Sequence, residues 1–235
     1  MKKADEFKSG DFKNKKGVLF VLKLVIFDLD GTLVDAYPAI TASFNFTMQK
    51  LGYPTQKEIV IRKAVGWGDE NLLKPFVKDK DLDKAIGIYR RHHKLSLLKK
   101  ASILKGVFRV LKFLKRKKIK IAVASNRPSK FSWIIIKRLN LDRYLDYVLC
   151  ADNVKYIKPH PYLLNKIMQH FKVLPYQTLY IGDMSVDVKA GKAAGIKTVA
   201  VTTGSHTKKE VKQYKPFKII SKITGLIKII KEFKE

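Results

Sequence analysis

Asp28 and Asp30 alternate at the end of a largely apolar run, VLKLVIF, and the turn residues Gly31 and Thr32 follow at once. A desolvated carboxylate needs a partner, so two at the end of a buried strand are costly unless something compensates them. Further along, Ser125 and Asn126 close the run IKIAVA, Lys158 stands in KPHP, and Asp183 and Asp187 follow YIG in GDMSVD. Four carboxylates converging on one place would repel one another unless a hard cation held them. A ligand set of oxygens, without His or Cys, suits Mg²⁺, which keeps several of its waters. A hydroxyl and a lysine nearby supply what a phosphate needs, a donor and a positive charge. The competing reading of Asp28 and Asp30 is a turn cap, of Ser125-Asn126 an N-cap ahead of RPSK, and of Lys158 one lysine among many. Their order along the chain is what favours chemistry.

The elements around these residues predict a shared location. Leu19 to Leu29 reads as a buried strand ended by a glycine turn. From Tyr37 the spacing becomes helical, with Ile40, Phe44, Thr47, Met48 and Leu51 on one face and Gly52 and Pro54 ending the helix. More helices are predicted near 55–65, 69–78 and 80–99, and no strand in 37–104. Strand and helix then alternate to the C-terminus: IKIAVAS, helix 129–139, YVLC, helix 160–171, TLYIGD, helix 185–194, KTVAVT, helix 207–213, FKII and an amphipathic helix near 221–233. The expected fold class is α/β, a doubly wound, Rossmann-like, mostly parallel sheet with helices on both faces and an inserted all-helical cap. The expected domains are a basic N-terminal extension at 1–18, a core of 19–36 and 105–235, and the cap at 37–104. Ligands of such sheets bind beyond the carboxyl ends of the strands, where all the polar residues above fall.

Four spaced motifs, DLDGTLVD at 28–35, SN at 125–126, Lys158 in KPHP and GDMSVD at 182–187, closely resemble those of the haloacid dehalogenase superfamily of phosphatases. The resemblance covers about residues 19–205, and the helical insert looks like the cap of its phosphoglycolate phosphatase-like and β-phosphoglucomutase-like branch. It implies Asp28 as the nucleophile forming an aspartyl-phosphate and Asp30 as general acid and then base. It implies metal ligation by Asp28, Asp183 and the Asp30 carbonyl, with Asp187 acting through water or orienting the site. Ser125, Asn126 and Lys158 would hold the phosphoryl oxygens, helped by the N–H groups of Leu29, Gly31 and Asn126. An acid two residues after the nucleophile argues against dehalogenation, whose halide leaves without a proton.

The resemblance implies a Mg²⁺-dependent hydrolase of a small phosphorylated metabolite, phosphoglycolate first and a sugar phosphate second. The alternatives are a phosphomutase of the β-phosphoglucomutase type, or a phosphatase or binding protein directed at nucleic acid. For substrate choice the cap offers Arg62, Lys63 and Trp67 in IRKAVGWGDE, where an Arg could grip a second anionic group and Trp67 could stack on a ring. His92-His93 reads as a solvated pair, His160 as a neighbour of the site, and His206 as a loop residue near the sheet's functional edge.

Composition bounds the rest. The 235 residues hold 49 Lys+Arg against 20 Asp+Glu, a net +29 that would attract polyanions. The positive residues are spread along the whole chain, so a lysine-rich solvated exterior is preferred over a nucleic-acid partner. No apolar stretch is long enough to span a bilayer, no signal-peptide pattern is seen, and the single Cys150 forms no internal disulfide. These features predict a cytoplasmic protein without a membrane span; between monomer and homodimer the sequence does not choose.

Overall fold

The structure is a computed structural model describing residues 21–232. The expected extension at 1–18, and the first two residues of the expected first strand, lie outside the described residues. The strand itself, β1, is Leu24–Phe27, shorter than the apolar run because pairing ends where Asp28 begins the turn. The chain enters the cap through β2 (Val34–Asp35) and α1 (Tyr37–Leu51). Pro38 sits in the first turn of α1, and Gly52, at φ 73°, stops the helix in the left-handed conformation. Three more helices follow: α2 (Glu58–Ala64), α3 (Asp69–Leu73) and α4 (Leu82–Lys100). Of the predicted α1 face, Ile40, Phe44, Thr47 and Met48 are buried, and α1 packs along α4.

The chain leaves the cap through β3 (Ser102–Ile103), antiparallel to β2 with Val34 opposite Ile103. The expectation of no strand in 37–104 is corrected here: two residues are too few to show a period, and only their pairing with β2 defines them. After it come α5 (Val107–Arg116), β4 (Lys120–Ser125), α6 (Ser129–Arg138), β5 (Tyr147–Cys150), α7 (Tyr162–Phe171) and β6 (Thr178–Gly182). The chain finishes with α8 (Ser185–Ala193), β7 (Lys197–Val201), α9 (Lys208–Lys212), β8 (Lys218–Ile220) and α10 (Leu226–Glu232).

Six strands form one parallel sheet in the order β5-β4-β1-β6-β7-β8. Side chains alternate across it. Val25, Phe27, Val123 and Ile181 pack with Leu111, Ile135 and Leu226 on one face. Leu24, Ile26, Ala122 and Tyr180 pack with Leu163, Ile167 and Ala190 on the other. Burial on both faces explains why β1 and β6 read as continuous apolar runs. β1 is flanked by β4 and β6, with Phe27 beside both Val123 and Ile181. That register brings Asp28, Ser125 and Asp183 to the same edge, and α4, which touches α6, lays the helical cap above it.

Candidate active site

Asp28 follows β1 directly, and its N–H donates to the Ile181 carbonyl at 2.8 Å, which holds the turn to the end of β6. Its Oδ1 accepts a hydrogen bond from Lys158 Nζ at 2.6 Å. The same ammonium donates to Asp187 Oδ1 at 2.8 Å and to the Tyr180 hydroxyl at 3.1 Å. Tyr180 in turn donates to Asp187 Oδ1 at 2.7 Å, and Asp187 Oδ2 accepts the Met184 N–H at the start of α8. Lys158 is only 2% exposed. Burial works against its charge, yet Asp187 and Asp28 hold its pKa well above the usual lysine range.

In the acids burial wins, and the neutral form is favoured. Burial, reinforced by Asp187 and Asp30 and opposed by Lys158, raises the Asp28 carboxyl from its ordinary 3.8 to about 7. Burial likewise pushes Asp183 well above the usual carboxylate range, helped by Asp28 and Asp187. One ligand atom from each of Asp28, Asp183 and Asp187 lies within 4.8 Å of the others. Three buried carboxylates this close form an all-oxygen set that fits a hard divalent cation.

Asp183 is held on several sides. Its Oδ2 accepts the Ser205 N–H at 2.8 Å and the Tyr37 hydroxyl at 3.2 Å, and that hydroxyl also meets Ser205 Oγ at 2.6 Å. Gly31, at φ 79°, makes room for it: a Cβ there would stand 2.6 Å from Asp183 Oδ2. The Gly31 N–H, an expected phosphate donor, donates instead to the Val34 carbonyl at 2.7 Å and closes the turn.

A cavity of about 60 Å³ opens on this edge, lined by Asp28, Asp30, Ser125, Asn126, Lys158 and Arg127 among others. Ser125 Oγ accepts the Arg127 N–H at 3.1 Å. The Asn126 side chain ties loops together: its Nδ2 donates to the carbonyls of Gly66 and Lys158, and its Oδ1 accepts the Lys158 N–H, each at 2.9 Å. Asp30 Oδ2 accepts Arg127 Nε at 2.8 Å. Arg127 and Tyr180 carry no role in the sequence reading. A hydroxyl in the middle of the fully buried TLYIG strand was the available signal for Tyr180; Arg127, in a chain this basic, had none.

From the cap, Val65, Gly66, Gly68, Asp69 and Leu72 line the cavity, the two glycines necessarily with their backbone. The loop IRKAVGWGDE therefore reaches the site, but Arg62, Lys63 and Trp67 are not in the lining. Arg62 stacks on Tyr37 with its guanidinium 4.0 Å from the ring centre and pairs with Glu58 at 2.7 Å; Lys63 and Trp67 face outward. The solvated pair expected at His92-His93 is also corrected. His93 is fully buried, stacked on Tyr89, and bonded to Ser43 and Arg127, while His92 stacks on Phe46. His160 lies against Tyr156 and accepts the Tyr162 N–H, and His206 is half-buried with Nδ1 unpartnered among the described residues.

Comparison with known proteins agrees with this arrangement. The family model described as haloacid dehalogenase-like hydrolase matches residues 25–201. A phosphoglycolate phosphatase of Aquifex aeolicus is 31% identical over 183 residues, covering 78% of this chain and 86% of its own. One from Nitrosococcus oceani is 28% identical over 218 residues, covering 89% and 97%. Among solved structures, a predicted phosphoglycolate phosphatase from Haemophilus somnus superposes with a TM-score of 0.84 at 26% identity, covering 88% of this chain and 97% of that one. A Thermotoga maritima chain provisionally assigned as a β-phosphoglucomutase gives 0.73 at 25% identity, covering 89% and 99%. With the six-stranded parallel sheet, the helical cap and the acidic strand edge already in place, the match over most of the chain identifies the protein as an enzyme of the haloacid dehalogenase-like hydrolase family.

Proposed function

We propose that this enzyme is a Mg²⁺-dependent phosphatase that hydrolyses a small phosphomonoester, phosphoglycolate first and a sugar phosphate second, through an aspartyl-phosphate on Asp28. The observation that carries the reading is the Asp28 carboxylate itself, 2.6 Å from a buried ammonium and within 4.8 Å of two further acids, at the wall of a small cavity. The names of the relatives favour phosphoglycolate.

In this reading an Asp28 carboxylate oxygen attacks phosphorus while the bond to the leaving oxygen breaks, and Asp30 gives that oxygen its proton. A water then attacks the phosphorus of the aspartyl-phosphate, Asp30 takes the water's proton, and inorganic phosphate leaves with Asp28 restored. Ser125 and Lys158 hold the phosphoryl oxygens as charge builds on them. The cation would be held by Asp28, Asp183 and the Asp30 carbonyl, with Asp187 orienting Lys158, and would neutralise the phosphoryl group as a Lewis acid. A cytoplasmic setting belongs to the same reading, supported by the use of a single, buried cysteine.

The test is a screen of small phosphoesters with Mg²⁺, with EDTA, and with Asp28→Asn. The expected result is activity that EDTA abolishes and the substitution reduces to background; turnover indifferent to both would end the reading. The likeness to the Thermotoga chain keeps a phosphomutase in view. A sugar monophosphate converted to its isomer only in the presence of a bisphosphate primer would establish that alternative.

A further inference from the structure

Arg127 is 9% exposed and its Asp30 partner 14%, so this ion pair is largely withdrawn from water. The pair is asymmetric. Asp30 Oδ2 accepts Arg127 Nε, whereas Asp30 Oδ1 is buried and has no hydrogen-bond partner among the described residues. The other arm of the guanidinium, Nη1, lies 2.5 Å from His93 Nε2 on the cap helix α4. An arginine only donates, so His93 Nε2 must accept and the ring proton must sit on Nδ1. Nδ1 then donates to Ser43 Oγ, 3.1 Å away, and Ser43 donates to the Ala39 carbonyl of α1 at 2.9 Å. Arg127 thus donates both ways, to the core carboxylate and to the cap histidine, and the Ser43 hydroxyl, which also lies 3.1 Å from His92 Nδ1, carries the second arm on to the cap backbone. The His93 ring fits between Tyr89 and Phe131, at centroid distances of 4.8 and 5.4 Å, so it cannot turn away without repacking.

From this geometry we infer that Arg127 is a positioning residue for proton transfer: it pins one oxygen of Asp30, leaves the other unpaired on a residue that lines the cavity, and through His93 makes that placement depend on the seating of the cap. The inference rests on the phosphatase reading, with Asp30 as acid and base. A guanidinium suits the task because its fork bonds two partners in one fixed plane, which an ammonium does not. A misaimed acid matters most where the leaving oxygen is a poor one. An aliphatic alkoxide needs its proton, while a nitrophenolate departs almost without it.

The experiment compares kcat/KM for p-nitrophenyl phosphate and for the aliphatic phosphomonoester that the screen shows to be turned over best. Arg127→Met should lower kcat/KM on the aliphatic ester by about 30- to 100-fold and on the nitrophenyl ester by less than about fivefold. His93→Phe, which keeps a ring but accepts no hydrogen bond, should give the same pattern at about a third of the size. In an Asp30→Asn background, Arg127→Met should add less than about twofold. Arg127→Lys, which preserves the charge but not the fork, serves if the methionine variant fails to fold, and should show the same leaving-group contrast. Equal losses on both esters, no loss, or full additivity with Asp30→Asn would each overturn the inference. A wild-type protein without activity, or one indifferent to Asp28→Asn, would instead overturn the phosphatase reading.

Discussion

Lys158 Nζ bridges Asp28 and Asp187 at 2.6 and 2.8 Å, so one buried ammonium sets the charge of the strand edge on which the site is built. Removing one partner of a buried ion pair leaves the others uncompensated, at a cost of about 3–5 kcal/mol. Lys158→Met should therefore lower stability by an amount of this order in the metal-free protein, read from denaturant unfolding. It should also lower kcat by at least about 100-fold, because the phosphoryl group loses its cationic partner. Lys158→Met that leaves both unchanged would contradict this placement.

Tyr180 contributes a hydroxyl that donates to Asp187 and accepts from Lys158. Tyr180→Phe keeps the ring in its packed place and leaves one acceptor and one donor short of a partner. A loss of about 1–3 kcal/mol is expected, with kcat down by no more than about tenfold, since no part of Tyr180 lines the cavity. The same urea titration and steady-state assay check both numbers.

The raised acids predict how stability depends on pH. Asp28 titrates near 3.8 when unfolded and at about 7 in the fold. Between those values the folded chain holds the extra proton, so Asp28 makes stability fall as pH rises through that window, with the cost complete above about 7. Asp183 shifts in the same direction. Metal-free protein should thus lose more stability between about pH 5 and about pH 7.5 than Asp28→Asn, which cannot titrate there. Added Mg²⁺ should raise Tm more at the higher pH, because its ligands must be deprotonated.

Gly31 joins the turn to the buried acidic cluster. At φ 79° a side chain is strained, and a Cβ would meet Asp183 Oδ2 at 2.6 Å and the Gly204 backbone at 2.8 Å. Gly31→Ala should cost about 1–3 kcal/mol of stability. It should weaken Mg²⁺ binding at least about tenfold, measured by calorimetry, because Asp183 has to move.

How much of this is legible in the sequence depends on what each residue's role rests on. Asp28, Asp30, Ser125 and Asp183 are readable because they stand at or just beyond the ends of apolar runs, which a parallel sheet brings to one edge, whereas Lys158 and Asp187 are readable only from their order after those runs. Arg127 is not, since its importance comes from lying across the sheet edge from Asp30 and beneath His93, a convergence of residues 97 and 34 positions apart. Tyr37 and Ser205 meet at Asp183 from positions 146 and 22 residues away, for the same reason. His93 is hidden by its neighbour: two adjacent histidines on a helix point in different directions, and only packing decides which one is buried. In the cap, the loop to the site is legible from its glycines, but the lining is supplied partly by the backbone of Gly66 and Gly68, which side-chain chemistry does not reveal.

The most direct test of the whole account is to mix enzyme, Mg²⁺ and a ³²P-labelled phosphomonoester, quench in acid within milliseconds, and map the labelled peptide by mass. A phosphoryl group is expected on Asp28, forming and decaying at rates consistent with turnover and absent from Asp28→Asn. Steady turnover without label on Asp28, or label on another residue, would contradict it.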